Sequence, residues 1–286
     1  MNAALKRAEE CLAVRGLSIR TCETYLNHIR RFFEFSQQNP VELSGRDAEQ
    51  YLLHVASAKN WSSSTRNQAA SAIRFLIDVV LERPEAARRI PRAKTHQRLP
   101  ASLSGSEVTA LLDKMTSIVH RTLTLLCYGA GLRLKEACSL EISAIDPLRK
   151  VIHIRGGKGN KDRFVTLTPR LHQALRDYWK ERRPKGPFLF PGATEGRHID
   201  VTSFQKALTL ASLRARIEKT VSPHVLRHSY ATHMIEAGAD LRSLQLLLGH
   251  ASVTTTTRYV HLTQARLASL PSPLEMLGTK AGAIFG

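Results

Sequence analysis

The chain has 286 residues, with 42 Lys and Arg against 24 Asp and Glu and a formal net charge of +18. That length suffices for two domains that each bury a core without covalent staples, and the cationic excess calls for a polyanionic partner, nucleic acid ahead of an anionic membrane surface. No apolar run reaches the roughly 18 residues of a spanning helix, and the opening "MNAALKRAEECLAVRG" reads as a charged amphipathic helix rather than an apolar leader, so a cytoplasmic protein without membrane association is expected.

In chain order, the first third reads as four helices. Leu5, Ala8 and Leu12 make the first, which stops at Gly16, and Ser18 caps a second with an apolar stripe of Tyr25, Ile29, Phe32, Phe33 and Phe35. Ser44 opens a third through Tyr51, Leu52 and Val55, and "SSSTRNQAASAIRFLIDVVL" supplies a fourth with Ala69, Ile73, Leu76, Ile77 and Val80 at helical spacing. Arg20, Arg30, Arg31, Lys59, Arg66 and Arg74 are expected at exposed positions as a phosphate-facing set, joined by the Ser and Thr hydroxyls that begin the fourth helix. From Leu81 to Ser102 the periodicity dissolves into prolines and basic residues. That composition predicts a linker, residues 83–102, with Arg92 and Lys94 lying along a phosphate backbone.

Helical patterns return at Leu103. Ser104 and Glu107 have capping-box spacing, and "IVHRTLTLLCYGAGLRL" is apolar enough for a central core helix. "KVIHIRGGKGNKDRFVTLT" reads as a hairpin, its β-rich runs at 151–155 and 163–168 flanking a loop of Gly156, Gly157, Lys158, Gly159 and Asn160. Further helices are predicted at "PRLHQALRDYWKERR", at "VTSFQKALTLASLRAR" and at "SPHVLRHSYATHMIEAG". Ser222 bounds the last as N-cap, Pro223 as its first residue and Gly238 just past its end. The expected fold class is mainly α with a small β-hairpin.

Cys11, Cys22, Cys127 and Cys138 never occur as C-x-x-C and read as reduced core thiols. "HVLRH" places His224 and His228 at zinc-helix spacing, yet Val225 stands where a base glutamate belongs and Arg227 sets a cation beside any metal. No metal and no cofactor are expected. His224 and Arg227, three apart near a helix N-terminus, are instead suited to an anion. Arg133 follows the glycine-rich turn in "GAGLRLKEA", with Glu136 one turn later to orient its guanidinium.

"GLRLKE" (Arg133, Glu136), Lys158 in "GGKGNKD", "HVLRH" (His224, Arg227), "LGH" (His250) and "TRYVH" (Tyr259), in this order, resemble the tyrosine recombinase, or phage integrase, family and its Xer-like members. The likeness spans nearly the whole chain. It implies a two-domain C-shaped clamp: a helical, SAM-like core-binding domain at 1–82, the linker, a catalytic domain at 103–270 and a tail at 271–286 that docks in trans. It further implies a site-specific recombinase acting without ATP or metal, as a homo-tetramer on paired sites in double-stranded DNA. Tyr259 would attack the phosphate to form a 3′-phosphotyrosyl bond, and Arg133 and Arg227 would clamp the non-bridging oxygens. Lys158 would protonate the leaving 5′ oxygen, with Lys161 in the same loop as its rival. His224 would take or relay the tyrosine proton, and His250 would hydrogen-bond a non-bridging oxygen. His228, His233, His261, Tyr128, Tyr178 and Tyr230 are assigned to packing or solvent. A type IB topoisomerase-like nicking and closing enzyme and a non-catalytic DNA-binding regulator are the competing readings. No accessory protein is specified by these residues, and no separate arm-binding domain is expected before the first helix.

Overall fold

A computed structural model of the protein describes residues 2–94, 101–156 and 162–249. The chain divides into two compact units, residues 1–98 and 99–286.

In the first unit, α1 (Asn2–Val14), α2 (Ile19–Ser36), α3 (Gly45–Ser57) and α4 (Ser63–Phe75) follow one another. Each of the last three starts where a serine can relieve the orphan amides of a first turn. Ser18 accepts from the Thr21 N–H, Ser62 from the Thr65 N–H, and Ser44 forms a reciprocal box with Asp47. The apolar stripes meet in a core of Leu12, Ile29, Phe32, Phe33, Leu43, Tyr51, Val55, Ile73, Leu76 and Ile77. Ala69, Ala70 and Ala72, all buried, give α4 a smooth inner surface against α2.

Four expectations change here. Phe35 lies at the rim rather than in the stripe, 37% exposed, with its ring 4.9 Å from that of His54 and 5.4 Å from that of Tyr51. The fourth helix does not run on as an α-helix; it widens into a π-helical stretch at Leu76–Val80 that keeps Leu76, Ile77 and Val80 buried. The predicted linker begins as structure: Pro84 starts a short helix, α5 (Pro84–Arg88), and Ala87 and Ile90 enter the same core. The chain then runs back along α4, where the Asn67 side chain both donates to the Ala93 carbonyl (3.0 Å) and accepts from its N–H (2.9 Å).

That strap causes the fourth change. Arg66 and Arg74 are half-buried rather than exposed. Arg74 donates to the Ile90 carbonyl and Arg66 to the Ser63 hydroxyl (3.2 Å), and burial, followed by the charge of Arg92, pulls the Arg74 pKa down. Arg20, Arg30, Arg31, Lys59, Arg92 and Lys94 are exposed, and Arg31 reaches over the Trp61 ring.

The second unit opens with α6 (Gly105–Asp113), for which Ser104 and Glu107 form the expected capping box. The central helix α7 (Ile118–Gly129) is followed by α8 (Leu134–Cys138) and an antiparallel sheet of β1 (Ile145–Asp146), β2 (Val151–Ile154) and β3 (Arg163–Thr166). The hairpin register pairs Val151 with Thr166 and Ile154 with Arg163. The first, two-residue strand is an addition to the predicted hairpin. Then come α9 (Pro169–Arg182), α10 (Val201–Arg214), α11 (Pro223–Glu236) and α12 (Leu241–Leu248). Leu123, Leu126, Cys127, Ile152, Val165, Tyr178, Phe190, Phe204 and Leu226 lie in their shared core.

Of the residues assigned to packing, Tyr178 donates to the Leu189 carbonyl (2.8 Å), Tyr128 hydrogen-bonds His233 (2.8 Å), and His228 and Tyr230 are buried. His261 lies outside the described residues. All four cysteines are free, Cys127 and Cys138 in the core and Cys11 and Cys22 half-buried, and burial pushes the Cys138 thiol up to about 12. Among the described residues no helix is long and apolar enough to cross a membrane.

If the Asn67–Ala93 bonds hold the strap, Asn67→Ala should weaken it by about 1–2 kcal/mol. Limited trypsin cleavage at Arg92 and Lys94 in the full chain should then be faster by roughly 5- to 30-fold, the population change that such an energy represents. Unchanged cleavage kinetics would show that other contacts hold the segment.

Candidate active site

The site is built around one carboxylate. Gly131, at φ +64°, turns the chain out of α7, and a Cβ there would lie 2.6 Å from the Tyr230 ring, so both backbone and packing require glycine. Two residues on, Arg133 occupies the N-cap of α8 in an extended conformation, and Glu136 sits one turn inside. Glu136 Oε2 accepts from the Arg133 backbone N–H (2.8 Å) and Oε1 from its guanidinium (2.7 Å). Spacing predicted this pair.

Arg163, the first residue of β3, was not predicted as a site residue. Burial alternates along the strand, so Arg163 points inward beside Val165. Its Nη1 and Nη2 donate to Glu136 Oε1 (2.8 Å) and Oε2 (2.6 Å), a bidentate charge-assisted pair. The signal was present in "RFVT": an arginine in phase with a core valine needs a buried carboxylate.

Arg227, from α11, is 4% exposed and stands 4.0 Å from Glu136 Oε2. It donates to the carbonyls of Gly131 and Leu248. Arg163 Nε donates to the Leu247 carbonyl (2.9 Å) and Arg133 Nη2 to the Gly249 carbonyl (2.9 Å). Three arginines thus take three successive carbonyls at the end of α12, where a helix leaves unpaired acceptors and the negative end of its dipole. Gly249 terminates α12 at φ +60°, and a Cβ there would come within 2.9 Å of Arg163 Cδ.

Burial alone would raise the Glu136 pKa. The hydrogen bonds and charge of Arg163, then the donors of Arg133, override it and hold the carboxyl down at about 2. With one carboxylate against three guanidiniums, the cluster keeps a positive balance suited to an anion. His224 lies in the first turn of α11, exposed, while Arg227 one turn later is buried; they share a helix end but differ in access.

At the root of the hairpin loop, Asp162 accepts from the Gly156 N–H (2.9 Å) and pairs with His153 (2.9 Å). The Gly156 N–H leads the causes that lower the Asp162 pKa, ahead of the hydrogen bond to His153. Lys158, Lys161, His250 and Tyr259 lie outside the described residues. Among the described residues no three His, Cys, Asp or Glu side chains converge as metal ligands.

A helical unit is thus followed by a mainly helical unit with arginines gathered on a buried carboxylate beside a hairpin. Family models match both units: the phage integrase family matches residues 101–266, and the phage integrase N-terminal SAM-like domain matches residues 5–86. The chain belongs to the phage integrase, or tyrosine recombinase, family as a Xer-like member, a site-specific DNA recombinase. It is 38% identical, over 97% of its own length and 90% of the relative's, to y4qK of Sinorhizobium fredii, named as a candidate integrase/recombinase. It is 32% identical to the tyrosine recombinase XerD of Rhizobium meliloti, with 94% of each chain covered. In fold it matches the site-specific recombinase XerH bound to palindromic difH substrate in a post-cleavage complex. That match has a TM-score of 0.70 and 23% identity, and covers 93% of this chain and 83% of that one.

A folded-state pKa depressed to about 2 means that Glu136 contributes stability above the ordinary carboxylate pKa, and that this contribution disappears as pH falls toward 2. Glu136→Gln should cost about 3–5 kcal/mol at neutral pH, because it strands buried guanidiniums. It should also flatten the loss of stability between about pH 5 and 3. Urea unfolding of parent and variant across that range checks both, and an equally steep acid limb in the variant would contradict the assignment.

Proposed function

We propose that this protein recombines two specific sites in double-stranded DNA through a covalent bond between Tyr259 and a 3′ phosphate. The arrangement that carries this reading is the pair Arg133 and Arg227, delivered from separate elements to one place beside the Glu136 carboxylate. Cleavage of a phosphodiester builds charge on two non-bridging oxygens, and planar guanidinium forks held in advance stabilise that charge without reorganising.

In the proposed step Tyr259 Oη attacks phosphorus as the bond from phosphorus to the 5′ oxygen breaks. Lys158 gives a proton to the leaving oxygen, Lys161 being the alternative donor in the same loop. His224, exposed at the start of α11, receives or relays the phenolic proton. His250 hydrogen-bonds a non-bridging oxygen. Attack by a 5′-hydroxyl from the other duplex reverses the step, and the phosphotyrosyl bond retains the energy of the broken one, so no ATP is consumed.

Double-stranded DNA is the proposed partner, supported by the net charge of +18 and by the XerH neighbour on its difH substrate. Arg20, Arg30, Arg31, Lys59, Arg92 and Lys94, all exposed, are proposed to meet phosphates. Residues 1–82 are assigned to core binding and 103–270 to catalysis. Exchange in a homo-tetramer, joined in trans by residues 271–286, completes the reading, with the cytoplasm as the place of action.

On a nicked suicide substrate, Tyr259→Phe should bind DNA and form no denaturant-resistant protein–DNA adduct; a persisting adduct would assign the nucleophile elsewhere. Arg227→Lys should slow single-turnover cleavage by about 10²-fold or more, and near-normal cleavage would reject its role. A two-site assay that yields exchanged products separates recombination from nicking and closing.

A further inference from the structure

We infer that Arg163 is a positioning residue of the cleavage site: it sets the Glu136 carboxylate that aims Arg133, and it fixes the last turn of α12, from which the chain leads to His250 and Tyr259. This rests on the proposed roles of Arg133 and Tyr259.

The geometry is specific. Both Glu136 oxygens accept from the Arg163 fork, at 2.8 and 2.6 Å, so the plane of the carboxylate follows the plane of that guanidinium. The same oxygens hold Arg133 twice, through its guanidinium and through its backbone N–H. The orientation of Arg133 is therefore inherited from Arg163. Engagement separates the two parts: all three guanidinium nitrogens of Arg163 are committed to Glu136 and Leu247, whereas the Arg133 side chain is 22% accessible. Arg163 accordingly acts through its neighbours.

The remaining edge of Arg163 explains why an arginine is needed. Its Nε reaches the Leu247 carbonyl, next to the Leu248 and Gly249 carbonyls held by Arg227 and Arg133. One planar group thus connects β3, the Glu136 hub and the end of α12. A lysine ammonium can pair with one carboxylate oxygen, but it cannot present a fork to both oxygens and a third donor to a carbonyl on the opposite edge. Gly249 is matched to this use, because a side chain there would collide with the Arg163 stem. Arg163 also follows Asp162, which pins the root of the loop carrying Lys158, so a shift of Arg163 disturbs the hairpin and the arginine clamp together.

The test uses full-length Arg163→Lys and Arg163→Met. Site affinity is measured first, and then the single-turnover cleavage rate at saturating protein on two suicide substrates: one with an ordinary scissile phosphate and one with a methylphosphonate in its place, which has less charge for Arg133 to neutralise. The expected result is near-parental affinity, cleavage slowed by roughly 10- to 100-fold for Arg163→Met with partial recovery in Arg163→Lys, and a deficit several-fold smaller on the methylphosphonate. Parental cleavage rates in the bound variants would overturn the proposal. So would an equal deficit on both substrates, which would mean that Arg163 only maintains the fold. If Arg163→Met does not fold, Arg163→Lys decides on the same two substrates. Tyr259→Phe run in parallel keeps the two readings apart: an adduct there removes the nucleophile assignment, whereas the ratio of the two substrates in a cleaving protein still reports on Arg163.

Discussion

Three arginines packed around a single carboxylate set the constraint on which the second unit depends. Guanidinium groups as buried as Arg163 and Arg227 are tolerable only if their charge and their donors are both met. Glu136 supplies the charge, bidentate to Arg163, hydrogen-bonded to Arg133 and 4.0 Å from Arg227. The end of α12 and the Gly131 carbonyl supply further acceptors. A helix C-terminus is normally finished by solvent or by a glycine turn; here Gly249 makes the turn and the arginines take the carbonyls, so one arrangement satisfies two requirements.

This economy gathers the cations. The cations could not gather unless the turn after α7, the head of β3, the first half of α11 and the last turn of α12 arrived together. Each of those segments is held by the others through the arginines. The assembled cluster is cross-linked through one bidentate pair and positive in balance, which suits it to an anion.

In the first unit a different interaction shapes the surface. The segment after α5 lies against α4, fastened by Asn67 at Ala93 and by Arg74 at Ile90. It half-buries Arg66 and Arg74, which periodicity alone puts outside, while Arg20, Arg30, Arg31, Lys59, Arg92 and Lys94 of the expected phosphate-facing residues are exposed. The apparent tether is thus partly a strap: Ala87 and Ile90 are buried because the chain folds back before it leaves.

What could be read from the sequence alone was what neighbouring residues decide among themselves. Helix starts at Ser18, Ser44, Ser62, Ser104 and Ser222 follow from side chains reaching amides three residues on, the hairpin from alternation across a glycine loop, and the Arg133–Glu136 pair from one helical turn of separation. The order of the motifs from Arg133 to Tyr259 is likewise a property of the chain itself, and it pointed to the family. The π-helical stretch at Leu76–Val80, the strap, the short β1 and the part played by Arg163 were decided by tertiary structure. Arg163 meets Glu136 from another element and Leu247 from a third, as Arg227 meets Gly131. Alternation in "RFVT" marks Arg163 as inward-facing, but nothing in the window names its partner, because the group that makes a buried charge tolerable is supplied by the fold and not by the residues beside it.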